Sequence, residues 1–236
     1  MNNRKWNQFN KLTEKCYSNM IGADKDGSCW LKAFELMKEI IYEERQTDPN
    51  YVRRLDMIDD VTDYEYDILG WLDDCMDELD MRGEYEAVLG ICNDLLGMFD
   101  WNEYSDSDIK FTKTIVLREL GRNKEAEKYC RKWIQSEPEN IVAATAAIYA
   151  YIDEGEYDET RKLIEKFIID PTICTDDNDI LFTAASKFYE AIGDNKKKRQ
   201  IDNAIKEYED RIVAYYEDGA FDEEDMDWFD GELPFN

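Results

Sequence analysis

Recurring glycine-centred turns constrain this chain more than any other feature. Gly121-Arg-Asn-Lys-Glu-Ala126, Gly155-Glu-Tyr-Asp-Glu-Thr160 and Gly193-Asp-Asn-Lys-Lys-Lys198 each follow an apolar pattern of helical period, and a second such pattern starts about two residues later. The spacing is 34 residues from Gly121 to Gly155 and 38 from Gly155 to Gly193. Upstream, Arg82-Gly83-Glu84-Tyr85-Glu86-Ala87 is the same turn with the glycine moved one place. A helix must end, and glycine takes the left-handed conformation at a helix C-terminus without the penalty of a Cβ. Recurrence at this period marks helical pairs that stack, because one pair cannot bury its apolar face alone.

Composition agrees with long helices. Only 4 Pro and 11 Gly punctuate 236 residues, too few turns for a barrel or sandwich, and 43% hydrophobic residues supply a core. Asp and Glu number 56 against 29 Lys and Arg, a net charge of -27. Such a field repels polyanions, so nucleic acid and anionic membrane surfaces are disfavoured as partners and a basic partner is favoured. There is no histidine, which removes Ser-His and Cys-His nucleophile pairs. Cys16, Cys29, Cys75, Cys92, Cys130 and Cys174 form no C-x-x-C pair and read as reduced, buried small hydrophobes. The N-terminal residues carry no apolar signal region and no run reaches a membrane span, so a cytoplasmic location is expected.

The segment from about Ile68 to Arg211 resembles a run of tetratricopeptide repeat (TPR) units. Trp71 stands at the family's first-helix aromatic, Tyr151 and Tyr189 at its tyrosine, and Ala87 and Ala126 at the small residue of its second helix. Pro138 matches the terminal proline and Pro171 falls within one residue of it. The small position of the first helix departs from the family, being Cys75, Thr114, Ile148 and Ser186, and Thr160 and Lys198 replace the second alanine. The resemblance implies an all-α fold of antiparallel helical hairpins stacked as a right-handed TPR-like superhelix. Helices are expected near residues 3–20, 30–45, 64–81, 85–99, 107–120, 123–135, 139–154, 157–169, 178–192 and 195–217. The expected organisation is an N-terminal hairpin with an acidic connector (1–67), TPR-like repeats (68–216) and an acidic tail (217–236).

Four features carry candidate chemistry. Asp24, Asp26, Ser28 and Glu35 fall on ligand positions of a calcium-binding EF-hand loop, but Cys29 stands where the sharp turn calls for glycine. A polar loop ending at a helix start explains the same letters. Carboxylates are dense from Asp56 to Asp80; such a run can serve acid–base or metal chemistry, or be a solvated face. The TPR resemblance places a peptide-binding groove on Leu69, Leu72, Met76, Phe111, Ile115, Arg118, Tyr149, Ile152 and Lys187, flanked by Asp73, Asp80 and Asp153. The Lys/Asn/Arg clamp with which co-chaperone TPR proteins hold a peptide C-terminus is not found. The tail interleaves nine acidic residues with Phe221, Trp228, Phe229, Leu233 and Phe235; it reads equally as a segment that folds on a partner or as a cap on the last hairpin.

The functional expectation is a non-enzymatic adaptor or regulator that binds a protein or peptide, needs no cofactor, and avoids nucleic acid and membranes. The alternative is an acidic inhibitor or immunity-type protein that mimics the charge of nucleic acid.

Overall fold

The computed structural model of the chain describes residues 3–103 and 105–217. Among these the fold is all-α. The helices are α1 (Asn3–Met20), α2 (Cys29–Thr47), α3 (Ile68–Met81), α4 (Tyr85–Met98) and α5 (Ser107–Glu119), then α6 (Asn123–Ser136), α7 (Ile141–Glu154), α8 (Tyr157–Phe167), α9 (Asp179–Ala191) and α10 (Asn195–Glu217). Two 3-10 turns, Leu55–Met57 and Asp59–Thr62, lie between α2 and α3. The chain forms two compact units, Met1–Arg122 and Asn123–Asn236.

The helix-ending turns repeat down to the hydrogen bond. At Gly155, φ is 75°; its N–H donates to the Ile152 carbonyl (3.1 Å) and the Glu156 N–H donates to the Tyr151 carbonyl (2.8 Å). The second bond reaches five residues back, the Schellman arrangement that satisfies carbonyls a helix end leaves unpaired. Gly83, Gly121 and Gly193 have φ of 70°, 69° and 72° and make the same pair of bonds. So does Gly22 at the end of α1, which the spacing argument misses because α2 follows only after a six-residue loop. After the other four, the next helix starts two residues on, at Tyr85, Asn123, Tyr157 and Asn195.

Counting from the glycine also sets which residue is buried at the start of the next helix. Val88, Ala126 and Thr160, five places on, are fully buried. In the Gly83 turn that place belongs to Val88 and not to Ala87, which is half-buried, because moving the glycine moves the whole register. In the Gly193 turn the same place holds Lys198, which is only half-buried and whose ammonium is held by Asp202 at 2.8 Å.

The first unit is built on an aromatic cluster that joins three helices. Phe9 of α1 meets Trp6 (5.5 Å) and Trp71 of α3 (5.0 Å) edge-on, and Trp71 stacks on Trp30 of α2 (6.3 Å, 13°). Such contacts add about 0.5–1.5 kcal/mol each beyond the area they bury. The connector after α2 is laced to the α4–α5 loop. Arg45 donates to the Tyr51 (3.0 Å) and Met98 (2.8 Å) carbonyls and to that of Val52, and Arg53 grips Asp100 with two bonds of 3.0 Å. Helix α3 starts at Ile68, not near residue 64, because Asp63 and Tyr64 are left-handed (φ 51° and 58°).

The second unit centres on α7, whose alanine-rich sequence lets neighbours approach closely; eight of its residues are buried. Its Ile148 joins Ile164 of α8, Phe182 and Phe188 of α9 and Ile201 of α10 in one core. The loop before α9 is pinned by buried Cys174, whose carbonyl accepts from Arg211 of α10 at 2.7 Å.

Two glycines test the turn argument. Gly155→Ala forces a Cβ into left-handed backbone and is expected to cost about 1 kcal/mol, although nothing lies within 4 Å of the new methyl. Gly90→Ala, in the ordinary helical backbone of α4 with equally open space, is expected to gain about 0.4–1 kcal/mol. Urea unfolding midpoints of both variants check the opposite signs.

An acidic cleft between α3 and α5

Two groups stand out among the carboxylates from Asp56 to Asp80 once their surroundings are known. One group has structural work. Asp56 pairs with Arg54. Asp59 caps α3, its Oδ1 accepting the Ile68 N–H (2.6 Å) and the Leu69 N–H (3.3 Å), and Asp67 accepts the Gly70 N–H (3.0 Å). Asp74 accepts the Tyr17 hydroxyl of α1 at 3.0 Å. Buried Glu78 holds Arg82 (Nε to Oε2, 2.9 Å), which also reaches Asn19 of α1 at 2.5 Å.

The other group is Asp73, Asp77 and Asp80. They sit at i, i+4 and i+7, one face of α3. Across from them α5 presents Asp108. Among the described residues none of these four carboxylates is in an ion pair. They rim a cleft of about 420 Å³ whose apolar lining is Met76, Ile109 and Ile115, with Thr112 beside them. A narrower extension of about 140 Å³ continues past Leu69 and Leu72 toward Leu55 and Leu95. No residue lining either part is basic. Partial desolvation, then the fields of Asp77, Asp74, Asp108 and Asp67, push the Asp73 carboxyl above its ordinary pKa.

The cleft gathers four of the groove residues expected from the sequence: Leu69, Leu72, Met76 and Ile115. Leu72 is only 1% exposed, so it supports the lining from beneath. Phe111 and Arg118, both half-buried on α5, are not on the lining. Tyr149, Ile152 and Lys187 belong to the second unit. Tyr149 and Ile152 are half-buried against its core, and Lys187 is exposed and lies 3.7 Å from Glu190. Sequence reasoning missed Ile109 and Thr112, and placed Asp77 in the acidic run without assigning it to the groove. The i, i+4, i+7 spacing of Asp73, Asp77 and Asp80 was the available signal, obscured by the equally acidic neighbours that have partners.

The calcium-loop residues are engaged with one another and with lysines. Asp24 accepts the Asp26 N–H (2.9 Å), Asp26 accepts the Ser28 N–H (3.0 Å), Lys32 donates to Ser28 Oγ (2.6 Å), and Glu35 pairs with Lys38 (2.9 Å). Those bonds describe a polar turn entering α2. Among the described residues no group of three or more His, Cys, Asp or Glu side chains is placed to hold a metal ion. All six cysteines are buried and unjoined. Burial pushes the Cys75 and Cys92 thiols up to about 12 and Cys174 to about 11, leaving little reactive thiolate at neutral pH. The tail expected to bind or cap lies, apart from Glu217, outside the described residues. Among the described residues no helix is long and apolar enough to cross a membrane. Comparison with protein-family models, with curated proteins and with solved structures finds no match.

The raised pKa of Asp73 gives a signed prediction. A carboxyl whose folded pKa lies above its unfolded value favours the protonated form in the folded chain. Its unfavourable contribution is absent at low pH, sets in as pH rises through the unfolded value of about 3.9, and is complete above the folded one. Asp73→Asn is therefore expected to stabilise the chain at pH 7 by about 0.2–0.5 kcal/mol, the scale of a like-charge pair on a helix, and to lose that advantage below about pH 3. Thermal melts at both pH values measure it, and a destabilised variant at pH 7 contradicts the assignment.

Proposed function

We propose that this chain is a non-enzymatic binding protein whose α3–α5 cleft takes a cationic, partly apolar segment of another protein. One observation carries the reading: four carboxylates without ion pairs surround an apolar lining. Like charges held together this closely repel, and a ligand bearing Lys or Arg relieves the repulsion while its apolar side chains cover Met76, Ile109 and Ile115. Burial of that lining contributes about 25 cal/mol per Å² removed from water, before the costs of association. The acidic rim steers the ligand and selects its charge. The face of α3 between Asp73 and Asp80 is about 10 Å long, which suits roughly two turns of a docked helix.

We read the helical pairs as TPR-like units of a right-handed superhelix. Support comes from the repeated Schellman turn, from the helix that starts two residues after it, and from the buried residue five places after the glycine.

The test is fluorescence anisotropy with a labelled amphipathic peptide of about 15 residues made of Lys and Leu, long enough to fold on the cleft. Controls of matched length replace Leu by Gln or Lys by Glu. Binding is expected for the Lys/Leu peptide alone, weakening as salt rises. The Asp73→Asn/Asp77→Asn/Asp80→Asn variant is expected to weaken it by at least about tenfold, the effect of about 1.4 kcal/mol. Affinity is also expected to fall as pH drops through the raised Asp73 titration, because protonation removes the attracting charge. Equal binding by wild type and the triple variant refutes the cleft assignment.

A further inference from the structure

The second unit carries an apolar groove that abuts the cationic start of α10. A groove of about 170 Å³ lies between α8 and α10, lined by Ile164, Ile168 and Ile201 together with Pro171, Tyr189 and Lys197; Glu165 is also on it. Helix α10 opens Asn195-Lys-Lys-Lys-Arg199, with no acidic residue in its first turn. Four cations at a helix N-terminus oppose the helix dipole. Lys198 is paired with Asp202, and Lys197 lies 5.3 Å over the Tyr189 ring. Among the described residues neither Lys196 nor Arg199 is in an ion pair. In a chain of net charge -27 this patch is suited to an anionic occupant.

The chain supplies such an occupant. Residues 218–236, outside the described residues, contain eight Asp and Glu, no Lys or Arg, and the aromatic pair Trp228-Phe229. Lys197 lies 20 residues before the end of α10 at Glu217, about 30 Å along the helix. Trp228 lies 11 residues beyond Glu217, up to about 36 Å of extended chain. That length is enough for the aromatic pair to span back along α10 to the groove. We infer that the α8–α10 groove is the docking site for this chain's own acidic C-terminal segment. Trp228 and Phe229 fill the apolar groove, and Asp225, Asp227 and Asp230 face Lys196, Lys197 and Arg199. The tether gives the segment a high effective concentration, so modest contacts suffice to hold it.

Hydrogen exchange on the full chain tests this. Amides of residues 225–231 are expected to exchange at least about tenfold more slowly than an unstructured reference peptide of the same sequence. Lys196→Glu/Lys197→Glu/Arg199→Glu is expected to return them to the reference rate. The reversal places acidic residues at a helix N-terminus, where they favour the helix, so α10 is expected to stay folded. Trp228→Ala/Phe229→Ala, which alters no described residue, is expected to speed exchange at residues 164–171. Exchange of the segment at the reference rate in the wild type overturns the inference, as does protection that survives charge reversal. Protection that grows with protein concentration assigns the groove to a second copy's tail and overturns it as well.

Discussion

Where a helix in this structure stops and the next begins only two residues on, one residue at positive φ makes the stop. Four junctions between consecutive helices are built on that constraint. At Gly83, Gly121, Gly155 and Gly193 the stop is made with the same two hydrogen bonds, and the next helix starts at the same distance. Fixing the turn fixes the rotation of the second helix, and hence which side chain lands against its neighbour. Val88 and Thr160 are buried for this reason and share no chemistry beyond fitting the space. Lys198 occupies the same place in the last pair because Asp202 compensates its charge.

With the backbone held by turns and by the Trp6–Phe9–Trp71–Trp30 cluster, the acidic residues divide by what the fold asks of them. Asp59 and Asp67 satisfy orphan N–H groups at the start of α3, and Glu78 anchors Arg82. Asp73, Asp77 and Asp80 do none of this. They line one cleft with Asp108, where partial desolvation and then the neighbouring carboxylates, Asp77 and Asp108 among them, hold the Asp73 carboxyl above its ordinary pKa. On the proposed reading, a bound ligand supplies the opposite charge that these carboxylates do not meet within the fold.

Helices were legible because their apolar period is strong and their ends carry glycine. Their faces were less so. The expected α5 stripe ran through Phe111, Ile115 and Arg118, whereas the cleft uses Asp108, Ile109, Thr112 and Ile115, a rotation of part of a turn that only packing against α3 decides. The split within the acidic run was illegible for a similar reason. The partner of Asp74 is Tyr17, 57 residues away, and α3 is capped by Asp59, nine residues before Ile68. Local sequence cannot distinguish a carboxylate that has found such a partner from one that has not. The start of α3 was misplaced because Asp63 and Tyr64 adopt left-handed backbone without a glycine to announce it.

Methyl NMR of the chain titrated with the Lys/Leu peptide locates the proposed binding. The methyl signals of Met76, Ile109 and Ile115 are expected to shift together along one binding curve while those of Ile164 and Ile201 in the second unit stay in place. Shifts confined to the second unit, or binding that leaves Met76, Ile109 and Ile115 unmoved, would contradict it.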